Sequence, residues 1–178
     1  EQLGIGRTPL REAFKKMANE QLVRAIARKG IMVVEISIAD QIQLLETRRA
    51  LDHLIAQRAA RKANPEERSQ VPRLATEIYG AAINEDIAGY MHVDYEFDHL
   101  IARVADNKFA TQAVSPLHVH SRRFWYAYRQ YGDWVQIAAN HRALMTSIAQ
   151  GDEAEAGLRS NALIDHLTEF TKSILEEI

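Results

Sequence analysis

Near the start of the chain, Arg7, Thr8 and Arg11 stand in "GRTPLREAF", where a glycine leads into a run with helical spacing. Two arginines four apart share one face of such a helix. Guanidinium groups placed this way bond phosphate oxygens or the edge of guanine, while a threonine hydroxyl and the free N–H groups of a helix's first turn hold a phosphate. Lys29 and Gly30 follow in "ARKGI", a cation beside a residue small enough for close approach to a polyanion. A solvated basic face would use the same residue types, so the surrounding elements must decide. A second concentration of chemistry is "LHVHSRRFWYAYRQYGDW". His118 and His120 diverge there by about 200° on a helix of about 3.6 residues per turn, so at most one faces a core and the two do not share an ion.

Composition narrows these options. The chain has 178 residues, 47% apolar and 26% charged, in the range of a folded protein with a sizeable core. It contains no cysteine, so disulfides and thiolate metal sites are excluded and any metal would need His, Asp or Glu ligands. No apolar run of membrane-spanning length or signal-peptide pattern is present, and a cytoplasmic location is expected. The net charge of -2 hides an asymmetry: residues 1–35 carry seven Lys/Arg against four acids, and the remainder fifteen against twenty. A basic head on an acidic body points to a polyanion-binding module joined to a different kind of domain.

The elements that position these residues are legible from spacing. Leu10, Ala13, Phe14 and Met17 form the apolar stripe of a helix over Arg7 to Glu20, with Pro9 tolerated in its first turn and Arg7 and Arg11 off that stripe. Two β-prone runs, Leu22 to Ala27 and Ile31 to Ile36, flank a turn at Arg28-Lys29-Gly30. From Ser37 on the period is helical: a long helix ending at Asn64-Pro65, then helices to about Asn84, Ala105, Tyr131, the Gly151 turn and the C-terminus. The fold class is therefore mainly α: a partial winged helix-turn-helix over residues 1–36, then an all-α antiparallel bundle of about six helices over residues 37–178. In the first part Arg7, Thr8 and Arg11 would enter the major groove and Lys29 and Gly30 would form the wing tip.

The wording of the sequence goes further. "LGIGRTPLREAFKKMANEQLV" followed by "ARKGIMVVEI" resembles the GntR family of bacterial transcription regulators, whose signature runs LG-x-S-R-T-P-V-R-E-A-L, then L-x-x-E-G-L-V, then R-G-x-x-V. Gly6 stands where that signature has its Ser N-cap, and Gln21 where it has Gly. The family's upstream helices are missing, and the expectation is that the sequence is part of a longer protein. "ADQIQLLETRRALDHLIAQRAA", "DYEFDHLIARVADNKF" and "NHRALMTSIAQGDEAEA" resemble the effector domain of the FadR-like branch, the FCD domain.

That resemblance implies a site. Many FCD domains hold a divalent metal with an Asp and three His; here Asp94 falls on the Asp and His141 on one His, while Asp98 and Leu163 fall on the other two. His166, one turn beyond Leu163, could substitute only if its helix shifts. Asp94, Asp98, His141 and His166 are thus the candidate ligands of zinc or of a harder ion such as manganese or nickel. An unmetallated pocket with its carboxylates bonded to Arg or His is the alternative. Arg48 matches the Arg of the family's E-x-R at the effector cavity, where it would clamp a carboxylate, unless it pairs with Glu46 or Asp52. Arg103, His118 and Arg122 lie on helices that should flank the same cavity. Taken together these expectations describe a homodimeric, ligand-responsive regulator with operator DNA and a small organic acid as partners, no membrane, and no catalysis. The alternatives are a metal-dependent enzyme or a ligand-free helical interaction module.

Overall fold

A computed structural model describes residues 4–177, which form two compact units, one reaching Ser37 and one beginning at Ile38. The first contains α1 (Arg7–Asn19) and an antiparallel hairpin of β1 (Val23–Ile26) and β2 (Gly30–Val33), paired Val23 with Val33 through Ile26 with Gly30. The strands are shorter than the apolar runs suggested. Gly30 is a paired strand residue, and the tip is Ala27-Arg28-Lys29, closed by Lys29 N–H donating to the Ile26 carbonyl at 3.0 Å. Gly30 has φ +98°, which explains the glycine immediately after the turn. α1 ends in a Schellman motif, Leu22 N–H to Met17 O at 2.8 Å and Gln21 N–H to Ala18 O at 3.0 Å. The motif forces Gln21 to φ +57°. Among the described residues of this unit none is buried; Phe14 and Met17 are half-buried and Leu10 is exposed.

The second unit consists of α2 (Ile38–Lys62), α3 (Pro65–Ile83), α4 (Ile87–Ala105), α5 (Lys108–Ala127), α6 (Trp134–Gln150) and α7 (Glu153–Glu177). A single 3₁₀ turn, Arg129–Tyr131, follows α5, where one continuous helix was expected. Trp134 Nε1–H donates to the Arg129 carbonyl at 3.0 Å and fixes this break. Short polar residues start the other helices as their spacing suggested. Asn64 and Glu67 form a capping box on α3, and Asp86, Asn107, Asp133 and Asp152 each accept from the N–H three residues on. Helix ends are closed by arginine. Arg68 donates to the carbonyls of Ala60, Ala63, Ile148 and Ala149 at 2.6 to 3.2 Å, covering the C-termini of α2 and α6 together, and Arg58 donates to Ala105 and Asp106 at the end of α4. Gly151, φ +77°, carries no Cβ where that Cβ would lie 2.5 Å from the Arg68 guanidinium.

α2 packs against α4, α5, α6 and α7, and α3 against α4 and α6. Leu45, Ile55, Ile78, Phe97, Phe124, Met145, Ile148, Ile164 and Ile174 are essentially inaccessible and form the core. Among the described residues no helix is long and apolar enough to cross a membrane.

Candidate functional site

Four helices of the second unit bring polar residues into its interior. Arg48 and Asp52 are four apart on α2; Tyr90, Asp94 and Asp98 repeat every four residues on α4; His118, Ser121, Arg122 and Trp125 follow helical spacing on α5; His141 comes from α6. These residues join in one chain of alternating charge. Arg48 donates through Nε and Nη2 to Asp52 Oδ2 at 2.8 Å and through Nη1 to Ser121 Oγ at 2.9 Å. His118 Nε2–H donates to Asp52 Oδ1 and Nδ1–H to Asp98 Oδ2, each at 2.9 Å. Arg122 donates through Nη2 to Asp98 and through Nε to Asp94 Oδ2, the latter at 2.6 Å. His141 Nε2 lies 3.1 Å from Asp94 Oδ1, and its Nδ1 lies 3.0 Å from both the Tyr90 hydroxyl and the Ile137 carbonyl.

Within the chain His118, Asp52 and Asp94 stay charged despite burial. Desolvation is the largest single influence on His118 and opposes protonation, yet the Asp98 and Asp52 carboxylates together push its pKa up to about 9. For Asp52 desolvation is again largest and again outweighed, here by Arg48 and His118, so its pKa falls. Asp94 is lowered well below the carboxylate range against desolvation, by its bond with His141 and the Arg122 charge. Burial and the charges of Asp94 and Asp98 hold the Tyr90 phenol neutral, raising its pKa. With His118 protonated, Arg48, His118 and Arg122 balance Asp52, Asp94 and Asp98.

The chain borders a recess of about 370 Å³, its mouth included, lined by Arg48, Asp94, His118 and Arg122 together with apolar Met91, Trp125, Ile137 and Leu167. Arg103 does not join it: this side chain is exposed in the last turn of α4, on the wrong side of the helix from Asp94 and Asp98. His99 likewise stays exposed, with Nδ1 at 2.9 Å from the Tyr95 carbonyl. Of the two histidines in "LHVH", His118 is the one that turns inward.

The expected metal ligands do not fit a metal in this arrangement. Asp94 and Asp98 do share a face and do approach His141, but the Arg122 guanidinium sits between the two carboxylates and already supplies their counter-charge. A divalent ion would have to displace a permanently charged group. His166 is half-buried, feels Asp133 and His141, and is not bonded to either carboxylate; its pKa is lowered, mainly by burial. Leu163, buried, offers no donor. Among the described residues no group of three or more His, Asp or Glu is placed to hold an ion.

In the first unit Arg7, Thr8 and Arg11 are exposed on the first two turns of α1, and Gly6 at its N-cap contributes no side-chain bond, leaving first-turn N–H groups open. Lys29 and Gly30 are exposed at the hairpin turn.

Fold and site define a helical bundle with a charge-lined interior recess, preceded by a basic helix-and-hairpin unit. Comparison with known proteins agrees. The FCD domain profile matches residues 43–166. An uncharacterized HTH-type transcriptional regulator in the TAR-I ttuE-ttuC' intergenic region of Agrobacterium vitis is 34% identical over 107 residues, a match spanning 58% of this chain and 63% of that protein. The HTH-type transcriptional repressor RspR of Escherichia coli K12 is 24% identical over 170 residues, 96% of this chain and 74% of the repressor. Among solved structures, E. coli McbR/YncC superposes with a TM-score of 0.85 at 15% identity, covering 98% of this chain and 84% of that one. Streptococcus agalactiae GntR gives 0.63 at 17% identity, covering 94% and 84%. The chain belongs to the FCD-domain family of GntR-type transcription regulators, a family of regulators and not of enzymes.

Sequence reasoning missed Asp52, Tyr90, Ser121 and Trp125 as members of the site. Asp52 was visible only as a possible partner of Arg48; Tyr90 lies one turn before Asp94, and Ser121 and Trp125 continue the stripe that starts at His118.

Proposed function

We propose that this chain is the operator-binding and sensing portion of a cytoplasmic, homodimeric transcription regulator whose effector is a small organic acid held in the recess between α2, α4, α5 and α6. The observation that carries the reading is the convergence of Arg48, His118 and Arg122 on one recess bordered by apolar side chains. A ligand carboxylate joins or replaces Asp94 at the Arg122 guanidinium and rearranges the ion pairs that tie α4 to α5. Coupling to DNA then follows from different affinities of the acid for the DNA-competent and incompetent states. Arg7, Thr8 and Arg11 contact the major groove, and Lys29 and Gly30 the neighbouring backbone or minor groove.

Two measurements test the reading. A thermal-shift series with small acids should stabilise the wild type and not Arg48→Ala; stabilisation by neutral or cationic compounds alone would refute an acid effector. Operator affinity at fixed salt should fall by roughly 1–3 kcal/mol in Arg7→Ala or Arg11→Ala. Unchanged affinity in both would remove the DNA-binding assignment.

A further inference from the structure

Asp94, Asp98 and His141 converge where an ion was expected, and they are already joined through one cation. Asp94 Oδ2 accepts from Arg122 Nε–H, Asp94 Oδ1 faces His141 Nε2 at 3.1 Å, and Asp98 Oδ2 accepts from both Arg122 and His118. The Tyr95 ring holds the same guanidinium from another side, its centroid 5.5 Å from Arg122 Cζ. Charge closes as well. Arg122 and protonated His118 give Asp94 and Asp98 the two positive charges that a divalent ion between neutral imidazoles would supply, while Arg48 matches Asp52. A second observation comes from α7. Leu163 lines an interior space together with Asp98, His141 and Ser160, so that helix does reach the place from which a further ligand would come. The side chain it brings there is 5% exposed and has no donor atom. An incoming ion would therefore gain few ligands and leave a guanidinium buried without its carboxylates.

We infer that Arg122 is a tethered replacement for a divalent ion: from α5 it supplies the charge that ties Asp94 and Asp98 to the neighbouring helices, and it makes the second unit independent of divalent metal and of chelators. This goes beyond the sensing role proposed above and does not rest on it. A bound ion comes and goes with its supply and with pH, because its ligands must be deprotonated. A guanidinium stays charged and stays attached. The exclusion is then a property of Arg122 first and of Leu163 second, and removing the arginine while restoring a donor on α7 opens the site.

The test compares the full chain with Leu163→His, Arg122→Met and the double variant Arg122→Met/Leu163→His. Zinc is the probe, its affinity and stoichiometry are read by calorimetry, and thermal unfolding is followed with zinc and with EDTA. The wild type should show the same unfolding midpoint in EDTA as without it and take up no stoichiometric zinc. Leu163→His should behave alike, because Arg122 still occupies the carboxylates. The double variant should bind one zinc per chain at least about tenfold more tightly than the wild type, and zinc should raise its midpoint. Stoichiometric zinc in the wild type, or a midpoint that EDTA lowers, overturns the proposal. Tight zinc in Leu163→His alone overturns it too, since the missing donor and not the arginine would then exclude the ion. So does a cooperatively folded double variant that gains no zinc. If loss of Arg122 prevents folding, the wild type and Leu163→His decide the matter by themselves.

Discussion

Arg122 Nε–H donates to Asp94 Oδ2 at 2.6 Å, joining α5 to α4 across the interior of the bundle. The same guanidinium reaches Asp98, so one arginine neutralises two carboxylates from consecutive turns of α4. Removing it leaves buried, unpaired negative charge, for which about 3–5 kcal/mol of stability is the usual loss. Arg122→Ala is therefore expected to unfold at markedly lower denaturant concentration than the wild type. It should also gain affinity for a divalent ion, since Asp94, Asp98 and His141 would then face an open position. Elemental analysis of both proteins after incubation with zinc checks this; stoichiometric, tight zinc in the wild type would contradict the arrangement described.

The pH dependence of stability has a defined sign. The pKa of His118 is raised in the folded state to about 9, so its contribution is complete below the unfolded value near 6.5 and is lost as pH rises through about 9. A shift of this size corresponds to about 3 kcal/mol. Asp52 and Asp94 are lowered, so their contributions are present above about pH 4 and are lost as pH falls through their folded values. Unfolding measured from pH 3 to 10 should show greatest stability near pH 4–6.5 and a decline toward pH 10 that is reduced in His118→Gln. A His118 imidazole titrating near 6.5 by NMR would contradict the doubly bonded imidazolium.

Much of the fold could be read from punctuation. Asn64-Pro65, Asp86, Asn107, Asp133 and Gly151 mark helix boundaries because capping and left-handed turns demand particular side chains locally. The break after Ala127 was not legible, because it depends on Trp134 reaching back to Arg129. The site was half legible for the same reason. Asp94, Asp98 and His141 do converge, but whether carboxylates meet a metal or a guanidinium depends on α5 placing Arg122 between them, which no spacing within α4 reveals. Arg103 and His166 lie on the right helices and on the wrong faces or at the wrong depth, a distinction that requires knowing how each helix is rotated in the bundle.

Arg68 holds two helix ends with one side chain. Its four carbonyl acceptors lie at the ends of α2 and α6, so Arg68→Ala leaves partly buried C=O groups unpaired at both. A loss of about 2–4 kcal/mol is expected, less than four charged hydrogen bonds at about 1.5–3 kcal/mol each would sum to, because water reaches part of the freed carbonyls. Chemical denaturation checks it, with Arg68→Lys recovering little because an ammonium cannot reproduce the fork.

Gln21 adopts φ +57° at the end of α1, a conformation glycine takes without strain. Gln21→Gly should stabilise the first unit by about 0.5–1 kcal/mol, visible as slower amide exchange in α1 and the hairpin. Faster exchange would mean that the Gln21 side chain makes a contact outweighing its backbone cost.

The most direct test of effector-controlled DNA binding is the operator affinity of the intact regulator at fixed salt, with and without malate or another acid shown to bind the recess. The wild type should change affinity by at least fivefold, in either direction, and Arg48→Ala should respond far less while binding DNA normally in the acid's absence. Equal affinity with and without saturating acid, in a protein whose recess is demonstrably filled, would contradict the recess as the regulatory site.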